Sequence, residues 1–247
     1  MKTTTRLGLI RKLAFPALLP RGKNSMRMKI APAFVCLMIL MVSIATVVNA
    51  APADVDENDV YWWWGDPAGS SKIVRNNKGV SGDLYASLSN SVGSAEDLAV
   101  TLWIIVFNYP GECETAYACG ADEDFVNPAV MPDALYGAGN IVDSSEVVSF
   151  GFHRKAGDNS GSIADLFGMP TDDGEPFGLR NPRGAEIHYV VRLHGPMIPL
   201  EMPDQIKSYG GGCVFNAPYG FPSPLNEDEL RLGWGECQDV QFAVNPP

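Results

Sequence analysis

Residues 184–196, G-A-E-I-H-Y-V-V-R-L-H-G-P, carry the clearest strand pattern in the chain. Successive side chains of an extended strand point to opposite faces. One face then holds Ile187, Tyr189, Val191 and Leu193; the other holds Glu186, His188, Val190, Arg192 and His194. Gly184 and the Gly195-Pro196 pair bound the run as turn residues do. An apolar side backed by an ionisable one is the pattern of an antiparallel strand with one face on a core and one in water. On that reading Glu186, His188, Arg192 and His194 form a wet face, with Glu186 and Arg192 open to cross-strand partners. The stretch also carries two of the three histidines of the chain. His188 and His194 stand six residues apart, about 20 Å along a strand, which is too far to share one metal ion without a bend. A shared site needs His153 from a neighbouring strand, facing His188 or His194 across the ladder, with Glu186 adding a carboxylate. Zinc or copper is the metal such an imidazole set favours.

Further strands are predicted outward from this one. Leu98 to Asn108, L-A-V-T-L-W-I-I-V-F-N, is an unbroken apolar run rich in β-branched residues and stopped by Pro110-Gly111, which reads as a strand covered on both faces. Glu146 to Arg154 places Val148, Phe150 and Phe152 on one side and His153 on the other. Ala134 to Val142 contains Gly137 and Gly139, a sign of a bulge or of close backbone packing. Shorter alternations lie at Asp83 to Ser89 and Gln238 to Val244. Val60-Tyr61-Trp62-Trp63-Trp64 must send at least one indole outward, so Trp62, Trp63 and Trp64 stand either as core and lid or as a platform for a sugar ring or another apolar ligand. Residues 111–133 and 155–183 read as long loops, with one helical turn near Ser162 to Phe167. Seven or so short strands and almost no helical periodicity make an all-β single domain over 60–247: an antiparallel β-sandwich first, a barrel second, with long disulfide-stapled loops.

The first fifty residues have another character. Residues 34–48 form an apolar run behind Arg27 and Lys29, and Val48-Asn49-Ala50 supplies the small residues of a cleavage site. Residues 1–50 therefore read as a leader and signal peptide, with 25–50 the true signal and Met26 or Met28 a natural start. The leader holds 8 of the 18 basic residues and no acid, so 51–247 carries 10 basic against 29 acidic residues, a net charge of −19. Such a surface repels phosphates, which argues against nucleic acid and anionic membranes as partners and leaves cations and an extracellular ligand open. Residues 51–59, A-P-A-D-V-D-E-N-D, have little to bury and read as a flexible acidic terminus. Asp54, Asp56 and Asn58 begin a calcium-loop spacing without its Gly or terminal Glu, and Asp122, Glu123 and Asp124 form a second acidic group, so calcium joins zinc and copper as a candidate ion.

Cys113, Cys119, Cys213 and Cys237 remain after the leader, an even set in an exported chain, and disulfides are expected. Of the three connectivities, local pairing of Cys113 with Cys119 and Cys213 with Cys237 is the expectation. No nucleophile elbow, zinc-protease helix, phosphate loop or dinucleotide fingerprint is present. The run L-W-I-I-V-F-N-Y-P-x-x-C, the segment N-P-R-G-A-E-I-H-Y-V-V-R-L-H-G-P, and the closing G-G-C and C-Q-D-V-Q-F-A-V together resemble a group of uncharacterised secreted proteins over about Leu98 to Val244. That resemblance implies export and a shared domain and carries no assigned activity. Two functional expectations stand: a secreted binding or structural module without catalysis, or a divalent-metal protein using His153, His188, His194 and Glu186.

Overall fold

In the computed structural model the chain divides into residues 1–49 and a unit spanning Ala50–Pro247. The structure describes residues 51–88, 97–143, 147–211 and 237–247. Eight strands run through them: β1 (Asp54–Trp62), β2 (Pro67–Asn76), β3 (Gly79–Ser87), β4 (Leu98–Phe107), β5 (Pro132–Val142), β6 (Val147–Lys155), β7 (Glu186–Pro196) and β8 (Gln238–Asn245). All pairings are antiparallel, in one sheet of order β5-β4-β7-β8-β1-β2-β3-β6. The all-β expectation holds, and of its two forms the sheet takes the nearly closed barrel rather than two stacked sheets.

The ends of the sheet, β5 and β6, come together. Arg154 on β6 donates to the Tyr136 carbonyl on β5. The segment after β6 then covers the free edge of β5: Tyr136 N–H donates to Gly161 O at 2.9 Å, and Ile163 N–H to Ala134 O at 2.8 Å. An edge left bare would expose a row of unpaired backbone groups, so this strap finishes the barrel.

The interior holds one apolar cluster fed by every strand, with Trp62, Leu84, Leu102, Ile104, Phe150 and Tyr189 among its larger members. β7 contributes the predicted inner face of Ile187, Tyr189, Val191 and Leu193. β4 is covered on both sides, as its continuous apolar run implies. Its outward residue Phe107 packs with Phe125, Val130 and the cysteines of the 113–119 loop. Its outward residue Trp103 meets Tyr136 and Tyr209 edge-on. The β4/β5 register slips between Leu102 and Trp103, where β5 carries the extra residue Gly137. A Cβ at Gly137 would lie 2.9 Å from Leu102 O, so the bulge needs glycine. At Gly139 a Cβ would come within 2.1 Å of Ile206 O, which is the close backbone approach its sequence position suggested.

Two expectations are corrected. Residues 54–59 are not a flexible terminus; they form most of β1, laddered to β2 from Asp54↔Arg75 onward. The acids gain order from cations brought beside them: Asp56 meets Arg75 at 3.0 Å, Glu57 meets Lys72 at 3.2 Å, and Asp54 meets Arg183 at 2.5 Å. The outer face of β7 is also not wet. Glu186, Arg192 and His194 are fully buried, because the 110–126 loop and the 202–211 segment lie across that face.

Candidate functional site

The ionisable residues of β7 anchor the two segments that cross its outer face. Glu186 opens the strand opposite Phe107 of β4. Its Oε1 accepts from Cys119 N–H at 2.9 Å and lies 2.7 Å from His188 Nε2, while its Oε2 is buried without a partner among the described residues. His188, two residues on and on the same face, leans edge-on against the Phe107 ring with centroids 5.1 Å apart. The Cys113–Cys119 disulfide is present as expected, and Glu186 is the clasp that fastens its loop to the barrel. Cys237 is also disulfide-bonded; Cys213, its expected partner, lies outside the described residues.

Arg192 donates from Nε to Tyr209 O at 2.8 Å and from Nη1 to Asp239 at 2.7 Å, with its guanidinium carbon 3.7 Å above the Tyr209 ring. Tyr209 donates in turn to the other Asp239 oxygen at 3.0 Å, so the phenol, whose ionised form burial disfavours first and the Asp239 charge second, is held protonated. His194 lies 2.8 Å from both Thr101 Oγ1 and Gly211 O. A carbonyl can only accept, so Nδ1 carries the proton and Nε2 accepts from the threonine hydroxyl. Burial pushes this imidazole down to about 4, and the neighbouring Arg192 charge adds to the shift against the opposing pull of Gly211 O.

His153 sits elsewhere. It is exposed on the outer face of β6, bonded through Nδ1 to Ser81 Oγ at 2.9 Å. β6 pairs with β3, whereas the neighbours of β7 are β4 and β8. His153 therefore cannot face His188 or His194 across a ladder. Among the described residues, no group of three or more His, Cys, Asp or Glu is arranged to hold a metal ion. Of the calcium candidates, Asp54 and Asp56 are strand residues paired with arginines. Asp124 is buried and accepts from the amides of Glu114, Gly120 and Ala121, so it knits its own loop.

The tryptophan triplet divides sharply. Trp62 points into the barrel and is 1 % exposed, while Trp63 and Trp64 are 64 % and 58 % exposed. Trp64 folds back to stack on Trp62, with ring centroids 4.7 Å apart and planes within 9°. Trp63 stands on the outer face of the sheet, edge-on to Phe242 of β8 at 5.6 Å, and Tyr61 flanks the same phenylalanine at 6.1 Å. Three aromatic rings thus stand in a row outside the barrel.

A cleft of about 300 Å³ continues from that row, lined by Glu57, Asn58, Asp59, Tyr61, Phe242 and Val244. Its cause lies in the ladder. β1 and β8 share only the pairs Tyr61↔Phe242 and Trp62↔Gln241, although both strands continue beyond them. Past Tyr61 the two are joined by a side-chain bond, Asn58 Nδ2 to Asn245 Oδ1 at 3.0 Å. Sequence reasoning missed Tyr61, Phe242, Val244 and Asp59 as members of this site. The signal was in β8: Gln241, Ala243 and Asn245 are buried while Phe242 and Val244 face outward, an inversion of the usual polar-out alternation. Compared with known protein families, curated proteins and solved structures, the chain matches none.

Proposed function

We propose that residues 51–247 form a secreted, non-catalytic binding module whose ligand face is the aromatic row Tyr61, Trp63 and Phe242 with the cleft beside it. The observation that carries this reading is the outward row itself. Large rings are set on a sheet surface where alternation calls for polar residues, and Trp63 is left mostly bare. An exposed aromatic surface beside carboxylates and an amide suits a ring with one apolar face and polar edges, as a sugar has. Export is part of the proposal. Residues 25–50 have the layout of a signal peptide, and the Cys113–Cys119 disulfide suits an oxidising compartment. The resemblance of Leu98 to Val244 to secreted proteins points the same way. The alternative of a divalent-metal protein draws less support, because the three histidines are engaged on separate partners.

The test is tryptophan fluorescence against a panel of soluble glycans and small aromatic or apolar ligands. A ligand of this face quenches the native protein and fails to quench Trp63→Ala or Phe242→Ala, while both variants keep the native melting midpoint. Ligands that bind both variants as tightly as the native protein would place the binding face elsewhere. Amino-terminal sequencing of the exported protein should begin at Ala51; a chain retaining 26–50 would remove the export claim.

A further inference from the structure

The charges around the cleft narrow the ligand, given the binding face just proposed. β1 carries four carboxylates, and three have a cation within 4 Å: Asp54 has Arg183, Asp56 has Arg75 and Glu57 has Lys72. Asp59 alone has no cation among the described residues. Its side chain instead accepts the Tyr61 hydroxyl at 3.2 Å. That neighbour's phenol is raised above its ordinary value, first by the Asp59 charge and then by the hydrogen bond between them. The charged residues lining the cleft are both acids, Glu57 and Asp59. Behind them stands a chain of 10 basic and 29 acidic residues over 51–247. An acidic ligand would meet repulsion at short and long range, and a cationic one would meet attraction at both. Aromatic faces add to that preference, since a ring quadrupole attracts a cation placed over it.

Size and shape separate the cationic candidates. The cleft's volume, about 300 Å³, is at the small end for ligand sites and fits one compact unit rather than a long segment. Among its lining residues, the amide of Asn58 suits hydroxyls at the edge of a ring, and the aromatic rings of Tyr61 and Phe242 suit the ring's apolar face. We propose that the cleft binds an amine-bearing sugar, a 2-amino-2-deoxypyranose unit of a larger glycan, with its ammonium at Asp59 and its ring against the aromatic row. Glu57, already shared with Lys72, plays the lesser part.

The experiment titrates the purified protein with glucosamine oligomers, with the same oligomers fully N-acetylated, and with oligolysine of equal charge, read by tryptophan quenching at two salt concentrations. The glucosamine oligomer should bind at least tenfold more tightly than its acetylated form and weaken as salt rises. Asp59→Asn, which keeps the size of the side chain and its contact with Tyr61, should weaken it about tenfold, and Trp63→Ala should abolish the quench. Both side chains are exposed, so neither variant should disturb folding, and an unchanged melting midpoint verifies this. Equal binding of the acetylated oligomer would overturn the amine requirement while leaving the glycan-binding face intact. Oligolysine binding as tightly as glucosamine oligomer would overturn the sugar in favour of a basic peptide. Binding of other panel ligands at Trp63 with no response to glucosamine oligomer would overturn this inference and spare the proposed face; no response to any ligand would remove both.

Discussion

His194 should make the protein's stability depend on pH in a way that one substitution removes. The side chain is fully buried between Thr101 and Gly211 O, and burial brings its imidazole from 6.5 to about 4. Between those values the unfolded chain binds a proton that the folded chain refuses, so stability rises with pH across the window. The contribution is whole above pH 6.5, declines below it, and is gone once pH passes below the folded value near 4. At about 1.4 kcal/mol for each unit, the full swing is about 3 kcal/mol, of which about 2 kcal/mol is lost by pH 5. Working at pH 5 keeps most carboxylates ionised and isolates the histidine. The assay is urea unfolding of the native protein and His194→Gln at pH 7.5 and pH 5. Whatever the substitution costs at pH 7.5, it should cost about 2 kcal/mol less at pH 5, because the variant has no imidazole to charge. A cost that is equal at the two pH values would refute the reasoning, since it would mean that His194 takes up its proton as readily in the fold as out of it.

The other predictions concern what holds the barrel and its covering loops together. Trp62→Ala should destabilise by about 3–5 kcal/mol in chemical denaturation, and Trp63→Ala by no more than about 0.5 kcal/mol, because only the first empties a core site. Glu186→Ala leaves the Cys119 amide and His188 Nε2 without their acceptor and should cost about 1–3 kcal/mol, with faster hydrogen exchange across the 113–126 loop. Selective removal of the Cys113–Cys119 bond by a double serine substitution should cost about 2 kcal/mol, given the short loop it closes. Non-reduced peptide mapping should also join Cys213 to Cys237, and a peptide linking either of these to Cys113 or Cys119 would contradict the pairing.

The sequence made the inner half of this fold legible, and β7 shows where legibility stopped. Alternation correctly picked out Ile187, Tyr189, Val191 and Leu193 as the core face. It was silent on whether the other face meets water, because a polar side chain suits either a solvated surface or a buried one with a dedicated partner. The partners came from far along the chain: Cys119 for Glu186, Asp239 for Arg192, Thr101 and Gly211 for His194. β4 gave the clue, since a strand apolar on both faces requires a second layer outside the barrel, and that layer must lie over its neighbour β7 as well. β1 failed for a related reason. A run of acids with little to bury reads as a solvated tail, and only tertiary pairing with Lys72, Arg75 and Arg183 makes it a strand.

The same contrast tells structural polarity from functional polarity. Burying an ionisable group is costly, and the fold meets that cost on β7 with a specific partner for each of Glu186, Arg192 and His194. Those residues looked most like a site in the sequence, yet their hydrogen-bonding capacity is largely committed to anchoring loops. On the β1/β8 face the departures from pattern run the other way. Phe242 and Val244 face outward on a strand whose inward positions hold Gln241 and Asn245, and Trp63 stands exposed beside them. Exposing that apolar surface gives up burial free energy. Among the described residues, Asp59 adds a carboxylate without a cation at the same place. Local rules broken without an internal compensation are expected at functional or strained sites, and in this protein they converge on the cleft at the end of the β1–β8 ladder, which is why the proposed ligand face is set there.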